Sequence, residues 1–419
     1  MSTPFLTHPT PTELHAHQTA NSVGWRGALP LEAYLRRETC LYDQPLTRSG
    51  GLQPWILAVP SSSPPPTATT GTSTTSTPPL PPPDRSAVCS CETLRKRALL
   101  ALAPGPSRPS PTPAPSGPSK AEVRDVTCYG VASVFTLPSH RGKGHASAMF
   151  SHLARWMEGQ GRGKGGFSVL YSDIGKEFYA KHGWEARESS HLGLAVTGTG
   201  SGTEAGGKTG VRVLGDGDLQ RLCERDEESL RTRVETLAGR GTSAVAICPD
   251  AQTFGWHFAR ESFVSNELFG RVPEVKGAMT RTARGKDVWC WWTRWWTNED
   301  VKVVKGNVLH ILRLVVDDEE YDDSPATEEG VKDQQDSEIS VAVAALLAAA
   351  GEEAGKWAME SVQIWNPSST TVAAARRLDS NVQVVHREMD SIASLRWCDA
   401  ELDVGDTLTW CANEKFAWC

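Results

Sequence analysis

Residues 130–150 read GVASVFTLPSHRGKGHASAMF, and the order of residue types in this run decides the fold. The stretch 128–136 is β-branched and aromatic enough to form a buried strand. Pro138 ends that strand, and Gly142 and Gly144 let the backbone turn tightly. A helix is predicted from about 144 to 157, because Ala146, Met149, Phe150, Leu153 and Met157 recur at the 3.6-residue helical period. A second buried strand follows at 167–173 (FSVLYSD), then a short helix over 176–182 that Gly183 stops as a left-handed cap. Strand, glycine-bearing loop, helix and strand make a right-handed βαβ unit, so an α/β sheet with some parallel pairing is expected.

The loop between the strands has a chemistry of its own. It delivers consecutive N–H groups to the positive end of a helix, an arrangement that binds phosphate without any basic side chain. Arg141 and Lys143 add positive charge beside it. On the residues alone, two readings stay open: a diphosphate site and a plain strand-to-helix turn. The G-x-x-x-x-G-K-S/T spacing of a nucleotide P-loop is absent. The G-x-G-x-x-G fingerprint also fails, since Ser147 stands where the third glycine would fall.

This stretch resembles the cofactor motif of the GNAT superfamily of N-acetyltransferases, Q/R-x-x-G-x-G/A, which Arg141, Gly144 and Ala146 satisfy. The resemblance implies an acetyl-CoA co-substrate. Backbone groups of Val134, Phe135 and Thr136 would pair with its pantetheine arm. The amides of Gly142, Lys143, Gly144, His145, Ala146 and Ser147 would hold the pyrophosphate, leaving the adenine near the surface. LYSDIGKEFYAKHGW at 170–184 resembles the closing strand and helix of the same superfamily. Tyr179 falls on the tyrosine that protonates the departing thiolate in many members; the alternative is an aromatic core residue beside Phe178. Ser172 occupies a position where many members carry an asparagine that contacts the cofactor arm, and a serine offers fewer donors there.

A closer resemblance, to the fungal L-lysine N-acetyltransferase family, runs through most of the chain. It is carried by CETLRKRAL (91–99), NELFG (266–270), PEVKGA (273–278), VWCWWTRWW (288–296), LHILRLVV (309–316), IWNPS (364–368) and NEKFAWC (413–419). It implies an acceptor that is the side-chain amine of free L-lysine, as in lysine catabolism. A protein or peptide amine, and a catalytically silent acyl-CoA-binding protein, are the competing expectations.

Length and composition fit this class. A chain of 419 residues exceeds what one hydrophobic core usually serves. The expected division is a catalytic domain over 1–196, a Gly-rich linker over 197–210 and a second domain over 211–419. Disordered Pro/Ser/Thr-rich insertions are expected at about 60–86 and 103–119. The strands at 54–59 and 87–94 flank the first insertion as a hairpin. A net charge of −7 and a pI near 5.9 give no support to nucleic-acid binding. No run approaches the ~18 apolar residues of a membrane span. No basic region followed by an apolar stretch opens the chain, so a cytoplasmic location with reduced thiols is expected. Cys89 and Cys91 read as two small side chains on one face of a strand, and no metal is required.

In the second half, LHILRLVV, an Ala-rich helix (about 337–359) and SVQIWNP repeat the strand–helix–strand order without the cofactor motif. DDEEYDD at 317–323 would repel a diphosphate. The expectation is therefore α/β (α+β): a GNAT-type mixed sheet with flanking helices, then a degenerate acetyltransferase-like domain lacking a coenzyme A loop and closing over the acceptor. The tryptophans at 289, 291, 292, 295 and 296 suit a strand packed on both faces better than a cation cage.

Direct transfer needs a neutral amine. A lysine side chain has a pKa of about 10.4, so only ~0.04% is neutral at pH 7, a deficit of roughly 4.6 kcal/mol. The site must offer a base. Glu92 and Asp173 lie closest to predicted strand ends near the loop, and His140 and His145 flank it. The oxyanion would be held by a backbone N–H at Val134 or Phe135.

Overall fold

A computed structural model describes residues 3–60, 85–104, 121–196, 210–402, 404 and 408–418. Apart from their edges, the two insertions and the linker lie outside the described residues. In chain order the first part runs β1 (Phe5–Thr7), α1 (Pro11–Trp25), α2 (Leu31–Tyr42), β2 (Leu52–Pro60), β3 (Arg85–Ala101), β4 (Val123–Thr136), α3 (His145–Gly161), β5 (Phe167–Ser172), α4 (Glu177–Ala180), β6 (Glu185–Ala186) and β7 (Ser190–Ala195). Then come β8 (Arg212–Leu214), α5 (Asp216–Gly239), β9 (Ser243–Ile247), α6 (Ala251–Phe269), β10 (Gly277–Arg281), β11 (Asp287–Trp295) and β12 (Val308–Val316). The last part holds α7 (Glu328–Gln334), α8 (Glu338–Lys356), β13 (Ser361–Trp365), α9 (Ser369–Leu378), β14 (Val385–His386), β15 (Ile392–Trp397) and β16 (Leu408–Cys411).

Two mixed sheets result. The first is ordered β1-β2-β3-β4-β5-β15-β6, with β9 also paired to β3 and β16 to β9. The second is ordered β14-β7-β13-β12-β11-β10-β8. Both expected parallel pairs are present, β4 with β5 and β12 with β13. β2 and β3 form the expected antiparallel hairpin, in register from Leu52↔Leu94 to Pro60↔Arg85, so the first insertion springs from its tip.

The sheets exchange strands across the expected boundary. β7, which precedes the linker, lies in the second sheet, whereas β9, β15 and β16 follow it and lie in the first. β15 pairs with β5 along Ile392↔Ser172 to Trp397↔Phe167. β5 is nearly all buried, and without β15 it would present an unpaired apolar edge.

Local chemistry explains the elements near the site. Thr10 and Glu13 form a capping box with Pro11 at the first turn, which starts α1, a helix the sequence pattern did not reveal. Glu13 also takes Arg85 at 2.8 Å, and this pairing holds its carboxyl down at about 2. α3 buries Met149, Phe150, Leu153 and Met157 of the expected stripe against β2–β5, with Ala146 half-buried and Ala154 buried beside them. Gly183 has the left-handed φ of +88°, and a Cβ there would meet Arg396 at 1.9 Å.

In β11, alternation sends Trp289 and Trp291 into one core and Trp292 into the other, joined there by Trp296 just past the strand end. These four are buried, as expected of a strand packed on both faces. Trp295 instead faces a cavity. The acidic loop after β12 is anchored by charge: Asp317, Asp318 and Asp323 pair with Arg225, Lys286 and Arg233.

Candidate active site

The bend after β4 has the backbone that its glycines suggest. Gly142 and Gly144 take φ of 72° and 77°, left-handed values that side chains with a Cβ resist. A Cβ at either would find nothing within 4 Å, so the space above the bend is open. Gly144 caps α3 without a side-chain hydrogen bond. None of the Gly142, Lys143 and Gly144 amides donates to another described residue, and the first amides of α3 have no partner one turn back. These donors therefore converge, unpaired, at the positive end of a 17-residue helix. The basic side chains brace the loop: Arg141 Nε donates to Thr136 O at 3.1 Å and Lys143 Nζ to Ser139 O at 2.9 Å. His145 and His140 lie beside the bend, 5.7 Å apart by ring centroid. Partial burial, His140 and Lys143 all push the His145 imidazole toward neutrality.

Upstream, β4 and β5 part. Their parallel register runs only from Cys128↔Phe167 to Val131↔Leu170. Beyond it, Ala132–Thr136 pairs with β3 alone, leaving one edge of Val134, Phe135 and Thr136 without a strand. A bulge sits in this free stretch. Two residues, Ser133 and Val134, oppose the single Cys91 of β3, and Ser133 takes φ 52°. Such a bulge re-aims backbone groups, here beside the gap between the strands.

Next to the bulge stands Glu92, paired in register with Ala132. β3 is longer than the sequence suggests, so Glu92 lies inside the strand and not at its end. Tyr42 donates its hydroxyl to Glu92 Oε1 at 2.6 Å, and Ser133 donates to Oε2 at 2.8 Å. Burial raises the Glu92 pKa above the usual carboxylate value and Glu38 adds to this, outweighing the lowering by the Tyr42 and Ser133 hydrogen bonds and by Arg37. A half-buried carboxylate with a raised pKa is matched to base work near neutrality.

The other candidates separate. Tyr179, on α4, is buried against Phe150 and Phe178, with ring centroids 5.0 Å away in each case. Its hydroxyl has no partner among the described residues. Burial, then Asp173, Cys91 and Cys89, raise its pKa, so it holds its proton at neutral pH. Asp173 is exposed, accepts from Ser391 N at 2.9 Å and borders neither cavity at Glu92. Ser172 is buried, donates to Gly175 O at 2.6 Å and accepts from Ile174 N at 3.2 Å, which closes the turn after β5.

Glu92 and Ser133 border two cavities. The smaller lies toward α1, against His17, Asn21 and Trp55. The larger encloses about 670 Å³ of atom-free space including its mouth. Tyr34, Glu38 and Tyr42 of α2, Trp256 and Arg260 of α6, and Trp295 of β11 wall it. Of these wall residues Trp295 alone stood out in the sequence, because neither the residues of α2 nor those around Trp256 and Arg260 in α6 match a motif. The available clue was Arg260–Glu261, two ionisable residues inside an apolar helical run. A still larger cavity of about 980 Å³, around Trp365, Asn366 and Glu414, shares no residue with the bend or with β4.

Comparison with known proteins adds the following. Residues 196–419 match the family model described as the LYC1 GNAT-like C-terminal domain. A lysine acetyltransferase of Yarrowia lipolytica is 22% identical over 343 residues, covering 73% of this chain and 76% of that protein. A GCN5-related N-acetyltransferase from Kribbella flavida aligns over 94% of this chain and 71% of its own, with 14% identity and a TM-score of 0.46. Saccharomyces cerevisiae N-myristoyltransferase with bound myristoyl-CoA aligns over 94% and 82%, with 9% identity and a TM-score of 0.46.

Proposed function

This chain belongs to the LYC1 GNAT-like family of N-acetyltransferases, and we propose that it moves the acetyl group of acetyl-CoA onto the side-chain amine of free L-lysine. The observation that carries this reading is the open, amide-lined bend joined by a parted strand pair to a cavity that holds a carboxylate of raised pKa.

The residues present fit an acyl-coenzyme A. Unpaired amides and a glycine cradle that a Cβ would fill suit a diphosphate. The free edge of Val134, Phe135 and Thr136 suits the amides of a pantetheine arm, as a strand suits an added strand. The acyl-CoA supplies an activated thioester carbonyl; the chain supplies placement and proton transfer. Glu92 accepts a proton from the acceptor's ammonium, directly or through water, and the neutral amine so formed attacks the thioester carbonyl. A backbone N–H freed at the bulge, at Val134 or Phe135, stabilises the oxyanion as the N–C bond forms. Tyr179 gives its proton to the thiolate as the C–S bond breaks. Asp173, engaged at Ser391, serves as a loop anchor.

A lysine acetyltransferase among the relatives supports lysine as the acceptor, and a walled cavity supports a small molecule over a protein surface. A cytoplasmic setting accords with this reading; no helix among the described residues is long and apolar enough to cross a membrane. The test is thiol release from acetyl-CoA with free L-lysine and, separately, with a lysine-containing peptide. Release with free lysine is the expected result. Release with the peptide alone favours a protein acetyltransferase, and binding of coenzyme A without release for any amine favours a silent binder.

A further inference from the structure

Four arginines are buried in the described residues: Arg37, Arg260, Arg294 and Arg313. Three hold carboxylates. Arg37 is on Glu38 at 2.7 Å, Arg294 is on Glu261 and Glu353 at 2.7 Å each, and Arg313 is on Asp226 at 2.7 Å and on Glu414. Arg260 is the exception: only 8% exposed, it makes no ion pair and no hydrogen bond with any described residue. Its guanidinium carbon lies 3.4 Å from the Trp295 ring centroid, a stacked arrangement that occupies the face of the group and leaves its in-plane N–H donors unused. Arg260 also borders the cavity that Glu92 borders.

A guanidinium stays charged in proteins, so this cavity carries a desolvated cation with several free donors. Leaving it unpaired is costly unless an anion completes the site. Planar donors in a fork match a carboxylate above other small anions of metabolism except phosphate. The nearby charges do not fill the role: Glu38 is already held by Nε and Nη2 of Arg37, at 3.0 and 2.7 Å. Glu92 is held by Tyr42 and Ser133. The same cavity has aromatic walls from Tyr34, Tyr42 and Trp256, a surface suited to a methylene chain.

We propose that Arg260 receives the α-carboxylate of the acceptor while its side-chain amine points to Glu92, so that the cavity selects a free amino acid over an amine in a peptide chain. This rests on the acceptor assignment above and goes further by naming the group that enforces it. In a peptide the α-carboxylate is an amide, with neither charge nor two equivalent acceptor oxygens, and Arg260 would stay unpaired.

The test compares L-lysine with L-lysinamide in the wild-type protein, Arg260→Gln and Arg260→Lys, measuring kcat and KM for each amine. Acetyl-CoA affinity by calorimetry serves as a check that each variant is folded. The wild type is expected to favour lysine over lysinamide by about thirty- to a hundredfold in kcat/KM, mostly through KM. Arg260→Gln is expected to bring that ratio near one, and Arg260→Lys to retain part of it. Should Arg260→Gln fail to bind acetyl-CoA, Arg260→Lys and the wild-type ratio decide. A wild-type ratio near one, or a large ratio that both folded variants keep, overturns the role of Arg260 alone. Absence of thiol release with either amine in the wild type overturns the acceptor assignment itself.

Discussion

At the scale of single residues, the proposed mechanism gives Glu92 and Tyr179 opposite protonation tasks, and their surroundings suit them to those tasks. Glu92 is lifted from the ordinary carboxylate range by burial and by Glu38, yet it keeps two donors that favour its charged form. Tyr179 is raised by burial and by nearby Asp173, so it keeps a proton to give. The sign for Glu92 follows from its role as acceptor. Only the carboxylate takes a proton, so kcat/KM must climb as pH rises through its raised pKa and fall as pH drops below it. Glu92→Gln should erase that acidic limb and lower kcat by about a hundredfold or more at neutral pH. Tyr179→Phe should lower kcat about tenfold or more while leaving coenzyme A affinity nearly unchanged. A pH–rate profile for both variants checks the pair, and an acidic limb that survives in Glu92→Gln would move the base elsewhere.

At the scale of elements, the decisive unit is the β4–bend–α3 segment, and here the sequence was most informative. Periodicity of Met149, Phe150, Leu153 and Met157 announced the helix, and Gly142 and Gly144 announced the turn, because each pattern is local. The bulge at Ser133 had no comparable mark: its φ of 52° is imposed by the pairing of β4 with β3, a tertiary constraint. Ser172 is a related case: its sequence position gives no sign that its hydroxyl donates to Gly175 O, three residues on in its own turn. Gly144 allows a direct check. Valine there would be forced into a left-handed φ of 77° at a cost of about 1–2 kcal/mol, and its side chain would stand in the open space above the bend. Coenzyme A affinity measured by calorimetry should fall about a hundredfold, the equivalent of two lost charge-assisted hydrogen bonds, with the thermal transition of the free protein shifted only modestly.

At the scale of the whole molecule, order along the chain is not order in space. Ile392–Trp397 completes the sheet that Phe167–Ser172 begins, and Ser190–Ala195 completes the other. No local pattern announces a pairing between strands about two hundred residues apart, which is why the halves read as successive and the cavity beside Glu92 has no mark in the sequence. That cavity needs α2, α6 and β11 together with β3 and β4, so the second half supplies Trp256, Arg260 and Trp295 to a site whose carboxylate comes from the first. The molecule also holds a larger cavity near Trp365, with no link to the bend, and the two sites make different demands on where a coenzyme must sit. Amide hydrogen exchange with and without coenzyme A separates them most directly. The account predicts slowed exchange at residues 142–147 and along 132–136; protection confined to the surroundings of Trp365 and Asn366, with the glycine bend exchanging as before, would contradict it.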